Sequence, residues 1–289
     1  GNGMHNLLYT GDMKYLKTKI LEPAVTKFPR LETVIIEATY GGKDNILPTR
    51  KECEDQLIKI IKDTVERKGK VLIPVLGVGR AQEVMVIVEE LIRKKELPEI
   101  SVFVQGMVWD VTAIHTAYPD FLNSTIKKAI FHRDQNPFLS PIFKRVGSGK
   151  ERNQILEDTG PCLILATSGM LTGGASVEFF RELADNPKNS IVFVCYQGEG
   201  SLGRRIQSGE KEIVMEDENG KPKVTQVKIE IHTIDGLTGH AGRNELTKFV
   251  YNLDPRPKKI IVNHGENSRC LDLASSLHKL NKIETNAPK

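Results

Sequence analysis

The stretch Lys70-Val71-Leu72-Ile73-Pro74-Val75-Leu76-Gly77-Val78-Gly79-Arg80-Ala81-Gln82-Glu83 decides the fold class. Its first half is a short apolar run without polar alternation, the pattern of a strand buried on both faces. Its second half opens on two glycines and continues as an amphipathic stretch to about Lys95, the pattern of a helix that follows a tight turn. Strand, glycine turn and helix in succession make the repeating unit of a layered α/β protein with mainly parallel strands. Right-handed crossovers then bring the carboxyl ends of the strands to one edge, where ligand chemistry collects in such sheets.

The same unit recurs outward from this stretch. Upstream, residues 6–10 and 33–37 read as strands. A helix is expected from Thr49, with Glu52 three residues later as a capping partner and Leu57, Ile58, Ile61 and Val65 on one stripe. Gly69 is expected to end it in the left-handed position. Downstream come a strand at 101–104, a helix from Val108 as far as Pro119, a strand at 162–167, a helix at 176–184 and a strand at 191–195. Residues 133–161 read as irregular, with Asn136-Pro137, Ser140-Pro141 and Gly147-Ser148-Gly149 as loop signals. The polar run 217–222 reads as a hairpin turn or exposed excursion, and 227–231 alternates like a half-buried strand. A helix at 243–253, a strand at 259–263 and a helix at 271–280 complete the chain, with no internal repeat.

Composition narrows the function classes. The chain has 289 residues, 27% charged and 39% hydrophobic, which is ordinary globular usage and excludes wholesale disorder. A net charge of +4 permits a polyanionic partner without demanding one. No apolar run approaches the ~20 residues that span a bilayer, and Gly1-Asn2-Gly3-Met4-His5 has no signal-peptide pattern, so no membrane role is expected. The cysteines at 53, 162, 195 and 270 form no Cys-x-x-Cys pair, which suits reduced, buried thiols and a cytoplasmic setting.

Four apolar strands finish on a group able to bind a metal or move a proton. Asp12 follows Thr10-Gly11, Glu37 ends residues 33–37, His240 follows Gly239, and His264 follows Asn263. Each has a plainer reading: an aspartate after Thr-Gly is a common turn former, and a histidine after an apolar strand is often structural. A carboxylate such as Glu37 at the end of an apolar strand is more unusual, because its burial costs several kcal/mol unless it is paired. Taken together they suit zinc chemistry: a bridging carboxylate, a ligating imidazole, and a second imidazole oriented by a carboxylate to protonate a leaving oxygen. The seven histidines contain no His-x-His and no His-x-x-x-His pair, fewer ligands than a catalytic zinc takes. Arg80 at the Gly77–Gly79 turn, and Ser168 and Gly169 ahead of Gly173-Gly174, suit a phosphate at a helix start and equally suit tight strand–helix packing. Arg204 and Arg205 suit bidentate contacts to a phosphate backbone, and equally a solvated and a carbonyl-capping role.

These residues carry a resemblance. Tyr9-Thr10-Gly11-Asp12, Glu37-Ala38-Thr39-Tyr40-Gly41, Ile73 to Glu83, Gly106-Met107, Ala113-Ile114-His115-Thr116, Ala166 to Leu171, Gly203-Arg204-Arg205, Gly239-His240 and Asn263-His264-Gly265-Glu266 run in family order over essentially the whole chain. The chain resembles the β-CASP branch of metallo-β-lactamase-fold ribonucleases, in particular archaeal relatives of the cleavage and polyadenylation specificity factor endonuclease.

The resemblance implies an αββα metallo-β-lactamase core in part, over residues 1–41, a β-CASP cap domain over 42–227 and the return of the core over 228–289. It implies a zinc-dependent ribonuclease that binds single-stranded RNA, cuts phosphodiester bonds as an endonuclease, a 5′–3′ exonuclease or both, and serves mRNA 3′-end formation, transcription termination or RNA decay. Asp12 would bridge two zinc ions, His264 would ligate one of them, His240 would be the general acid and Glu37 would support it. Arg80, Ser168, Gly169, Arg204 and Arg205 would contact RNA phosphates. The family's His-x-His-x-Asp-His motif and N-terminal KH domains are not in this sequence, so the chain is expected to be the C-terminal part of a larger protein and inactive alone. A homodimer through the region around 281–289 is expected as well. Gly242 stands where relatives often carry aspartate. The rival reading is a non-catalytic RNA-binding partner subunit that keeps the fold.

Overall fold

Residues 4–216 and 220–288 are described by a computed structural model. In chain order the elements are β1 (Leu7–Tyr9), β2 (Thr33–Glu37), α1 (Arg50–Glu66), β3 (Val71–Pro74), α2 (Arg80–Arg93), β4 (Val102–Gln105), α3 (Val108–Ala117) and α4 (Ser124–Arg133). Next come β5 (Phe143–Val146), α5 (Gly149–Glu157), β6 (Leu163–Ala166), α6 (Ala175–Leu183), β7 (Ser190–Phe193) and α7 (Leu202–Gln207). The chain closes with β8 (Glu212–Glu216), β9 (Pro222–Gln226), β10 (Glu230–Thr233), α8 (Arg243–Tyr251), β11 (Lys259–Asn263), α9 (Asn267–Asn281) and β12 (Glu284–Asn286).

They form two compact units, one of residues 1–47 with 239–289 and one of residues 48–238. The first is built on a four-stranded parallel sheet, ordered β1-β2-β11-β12. Val34, Ile36, Ile260 and Val262 are fully buried, and Leu246, Phe249, Leu273 and Leu277 of α8 and α9 pack with them in one core. The second has a six-stranded parallel sheet, ordered β10-β7-β3-β6-β4-β5, and a separate antiparallel ribbon of β8 and β9. Its central strands β3, β6 and β7 are buried at every position, as strands covered on both faces must be. Val71 and Ile73 face one apolar cluster and Leu72 the other, so helices cover both faces.

The expected cap boundaries, 42 and 227, differ from those of the inserted unit, 48 and 238. The physical reason is pairing: β10 lies in parallel register with β7, Glu230 opposite Ser190 and Thr233 opposite Phe193. Residues 228–238 therefore complete the larger sheet.

Local chemistry explains both ends of α1. Thr49 caps α1 with a full capping box: its hydroxyl accepts from the Glu52 N–H, and the Glu52 carboxylate accepts from the Thr49 N–H at 2.7 Å. The far end differs from expectation. Lys68, with φ of 59°, takes the left-handed position, and the Lys68 and Gly69 N–H groups return to Val65 and Thr64 carbonyls in a Schellman arrangement. Gly69 is needed for another reason, because a Cβ there would lie 1.7 Å from the Lys188 carbonyl oxygen.

Residues 133–161, expected to be irregular, contain β5 and α5. β5 is an edge strand with Lys144 and Arg145 exposed between buried Phe143 and Val146, and α5 buries a single residue, Ile155. The polar run at 217–222 falls where β8 gives way to β9, which pair antiparallel, and residues 217–219 lie outside the described residues. Among the described residues no helix is long and apolar enough to cross a membrane.

Phe179 on α6 is fully buried in the second cluster. Phe179→Ala should cost about 3–5 kcal/mol of stability. Urea denaturation should show it as a lower midpoint at unchanged slope.

Candidate metal and proton-transfer site

The three adjacent parallel strands β1, β2 and β11 end at one edge of the smaller sheet. Tyr9 pairs with Ile35, and Asn263 pairs with Glu37, so the residues that follow β1 and β11 flank the end of β2. This register delivers Asp12, Glu37 and His264 to one place, and the loop ahead of α8 adds His240. One ligand atom from each of the four lies within 4.8 Å of the others, the one such group among the described residues.

Glu37 is 1% exposed and is held by three donors. The Met13 N–H donates to Oε1 at 2.8 Å, the Thr39 N–H to Oε2 at 3.3 Å, and His240 Nδ1 lies 2.7 Å from Oε2. Burial pushes the Glu37 carboxyl up, but the His240 hydrogen bond and charge, with the bonds from Met13 and Thr39, outweigh it, so the net direction is down. An ionised Glu37 accepts Nδ1–H, which fixes the His240 tautomer and leaves Nε2 as the nitrogen that can exchange a proton with a substrate. The His240 ring lies 6.4 Å from that of Tyr40 and stacks on that of His264 at 6.0 Å.

Asp12 and His264 are more open, with side chains 59% and 52% exposed, and Nδ1 of His264 sits 3.1 Å from Oδ1 of Asp12. His264 has a φ of 52°, a left-handed conformation that is uncommon outside glycine. Its carbonyl accepts from the Ala38 N–H at 3.1 Å. The next residue must be small: a Cβ on Gly265 would lie 2.5 Å from the Ala38 carbonyl oxygen. The backbone thus turns sharply against the end of β2 and directs the imidazole toward Asp12.

Elsewhere the geometry assigns different partners. His5 bonds to Thr33 and Glu32 rather than to any of the four. Arg80 is 8% exposed, and its Nη1 donates to the Leu237 carbonyl at 3.0 Å and to that of Thr238 at 3.4 Å. Desolvation lowers its pKa, opposed by the neighbouring Glu83 carboxylate. The Arg80 guanidinium therefore serves internal carbonyls. Arg205 is exposed and held in a bidentate pair with Glu210, whereas Arg204 is half-buried on α7.

Ser168 accepts from the Thr172 N–H at 2.9 Å, and a Cβ on Gly169 would meet Cys195 Sγ and Leu76 N at 3.1 Å, so this turn is close-packed. Sequence reasoning missed Thr39, Lys14 and Glu245, which surround the site. The four described cysteines are buried and form no disulfide with one another, and burial pushes the Cys162 thiol up to about 12.

The strand ends of this parallel sheet thus gather two carboxylates and two imidazoles, donors of the kind that metal ions take. Residues 81–206 match the Beta-Casp domain, and residues 224–288 match the Zn-dependent metallo-hydrolase RNA specificity domain. Among curated relatives, transcription termination factor FttA of Thermococcus kodakarensis is 52% identical over 288 residues, covering 100% of this chain and 44% of the relative. The factor of the same name from Methanocaldococcus jannaschii is 51% identical, and that of Lokiarchaeum sp. 46%; this chain covers 45% of each. The chain belongs to the β-CASP family of metallo-β-lactamase-fold proteins. It spans less than half the length of the relatives it matches.

Because the carboxyl of Glu37 is held below its ordinary range, it stabilises the fold above pH ~4.3, and that contribution fades as pH falls through its lowered value. Glu37→Gln should therefore lower stability at pH 7. The gap to the wild-type chain should narrow as the pH is taken down through 4 in denaturation series run without added metal.

Proposed function

We propose that this chain carries the proton-transfer group and part of the metal site of a zinc-dependent ribonuclease acting in transcription termination or RNA 3′-end formation. The observation that supports it most is the convergence of Asp12, Glu37, His240 and His264 within 4.8 Å. The donor set fits zinc, which takes imidazole nitrogen and carboxylate oxygen. Asp12 and His264 are open to solvent and to an ion. Glu37, by contrast, is buried with its oxygens taken by N–H groups, so it is a hydrogen-bond acceptor here rather than a ligand.

In this reading Asp12 and His264 would help hold zinc, Asp12 through its carboxylate and His264 through its imidazole. Zinc held there would polarise a phosphoryl oxygen and lower the pKa of a water. His240 is the general acid. Glu37 stabilises the imidazolium through Nδ1–H, and Nε2–H gives its proton to the leaving 3′-oxygen as the phosphorus–oxygen bond breaks. Water supplies the oxygen that the phosphorus gains, so the products are a 5′-phosphate and a 3′-hydroxyl. His240 returns to its acid form by taking a proton from solvent. The substrate is single-stranded RNA, in keeping with the RNA specificity domain matched by residues 224–288 and the termination factors among the relatives.

In the intact protein, His240→Ala should reduce single-turnover RNA cleavage by about 10²–10⁴-fold, the usual worth of a general acid. RNA affinity should stay within about two-fold of wild type by filter binding, an ordinary tolerance for a change that removes no phosphate contact. Unchanged cleavage would refute the assignment. Asp12→Asn should lower the zinc content found by elemental analysis, and full zinc occupancy in that variant would remove Asp12 from the ligand set.

A further inference from the structure

His240 is held at two points. Its ring bonds to Glu37, and its backbone carbonyl accepts from Lys14 Nζ at 3.1 Å. Lys14 stands two residues after Asp12 in sequence, and its ammonium also pairs with Glu245 Oε1 at 2.7 Å. The two side chains are only 14% and 12% exposed. Glu245 carries the connection further, its Oε2 accepting from the Leu16 N–H at 3.2 Å and its Oε1 from the Gly242 N–H at 3.5 Å.

One ion pair thus binds three backbone groups: the Leu16 N–H beyond Asp12, the carbonyl of His240 itself and the Gly242 N–H beyond it. We infer that Lys14 and Glu245 are positioning residues that lock the loop after β1 to the loop before α8 and so set His240 relative to Asp12.

The chemistry favours this over a purely cohesive role. Residues 239–240 bend ahead of α8, and the N-cap, Gly242, is in extended backbone and has no side chain with which to cap the helix. Glu245, three residues into the helix, takes over part of that task, and Lys14 neutralises it. An ammonium aimed at a carbonyl oxygen on a strand-end loop fixes the peptide plane of His240, which the Glu37–ring bond alone leaves able to pivot. Lys14 is occupied by these two acceptors, so it is set apart from a phosphate contact. The Gly242 position explains why a helix-capping signal was not visible in the sequence, since glycine offers no Ser/Thr-x-x-Glu pattern.

The inference rests on the ribonuclease reading for its kinetic consequence but not for its structural one. The test uses the intact zinc-loaded protein with Lys14→Met, Lys14→Arg and Glu245→Gln. Misplacing a reacting group by about 1 Å costs on the order of 10²-fold in rate. Lys14→Met is therefore expected to lower kcat for RNA cleavage by roughly 10–100-fold at unchanged KM. Lys14→Arg, which keeps a donor for both acceptors, should recover most of the loss.

Zinc affinity by chelator competition should stay near the wild-type value, and the His240 Nδ1–H resonance should broaden or shift in nitrogen-15 NMR of Lys14→Met and Glu245→Gln. A rise in KM at constant kcat would overturn the inference by making Lys14 an RNA contact. A fall in zinc affinity matching the lost rate would overturn it by making the pair a support of Asp12. An unchanged His240 resonance in both variants would overturn it whether or not the protein cuts RNA, whereas a wild-type protein that cuts no RNA would sink the ribonuclease reading and leave the NMR result to decide this one. If Lys14→Met does not fold, Glu245→Gln and Lys14→Arg carry the same comparisons.

Discussion

The buried carboxylate of Glu37 is the constraint on which the site depends. A charged carboxylate removed from water is costly unless its lone pairs are met, and the penalty exceeds the worth of any one hydrogen bond. Glu37 meets it with donors from three separate segments: Met13 after β1, Thr39 just past its own strand, and His240 ahead of α8. Removing any one of them leaves negative charge unmatched inside the protein. The geometry of the site is therefore enforced by electrostatic need, and the same bonds that satisfy Glu37 orient His240. Structure and candidate chemistry share one set of contacts.

Parallel pairing makes this economical in sequence. β2 lies between β1 and β11, so three strand ends lie side by side although residues 12, 37 and 264 are far apart in the chain. An antiparallel arrangement would send alternate strand ends to opposite edges and separate them. The cost falls on the backbone just beyond the strands, where ladder partners run out. His264 turns through a left-handed conformation, and Gly265 admits the Ala38 carbonyl at a distance no side chain would allow. Loops can bring these side chains together because a rigid sheet fixes where the loops begin.

How much of this was legible in the sequence depended on burial. β2 and β11 coincide with their expected ranges, and β3 falls within its own, because fully apolar runs have one reading. β5 escaped notice because an edge strand can expose Lys144 and Arg145, and α5 because one buried isoleucine leaves no stripe. β10 begins later than the alternation at 227–231 suggests: the Lys228 and Ile229 N–H groups both go to the Ala184 carbonyl, so that segment is a crossing and the ladder starts at Glu230. The four convergent residues could be picked out because each ends or follows an apolar strand. Lys14 and Glu245 could not, since their meaning lies in a pairing across 231 residues.

Arg80 marks a more general point about basic residues in such sheets. A cation beside a glycine turn at a strand end suggests a phosphate, yet strand ends also leave carbonyl oxygens without ladder partners, and buried carbonyls must find donors. In the smaller unit Lys14 serves the His240 carbonyl, Arg243 that of Gly41, and Arg269 that of Thr39 at 2.5 Å. In the larger unit Arg80 serves Leu237 and Thr238. Four cations that a sequence reading would count toward polyanion binding are thus spent inside the protein, next to the turns they hold. The two demands are distinguishable by burial: a side chain that must meet a phosphate keeps its donors at the surface, whereas Arg80 and Arg243, each 8% exposed, have theirs turned inward. The modest net charge of +4 therefore overstates the positive charge that these motifs leave at the surface, and recognition of any polyanion falls to cations outside them.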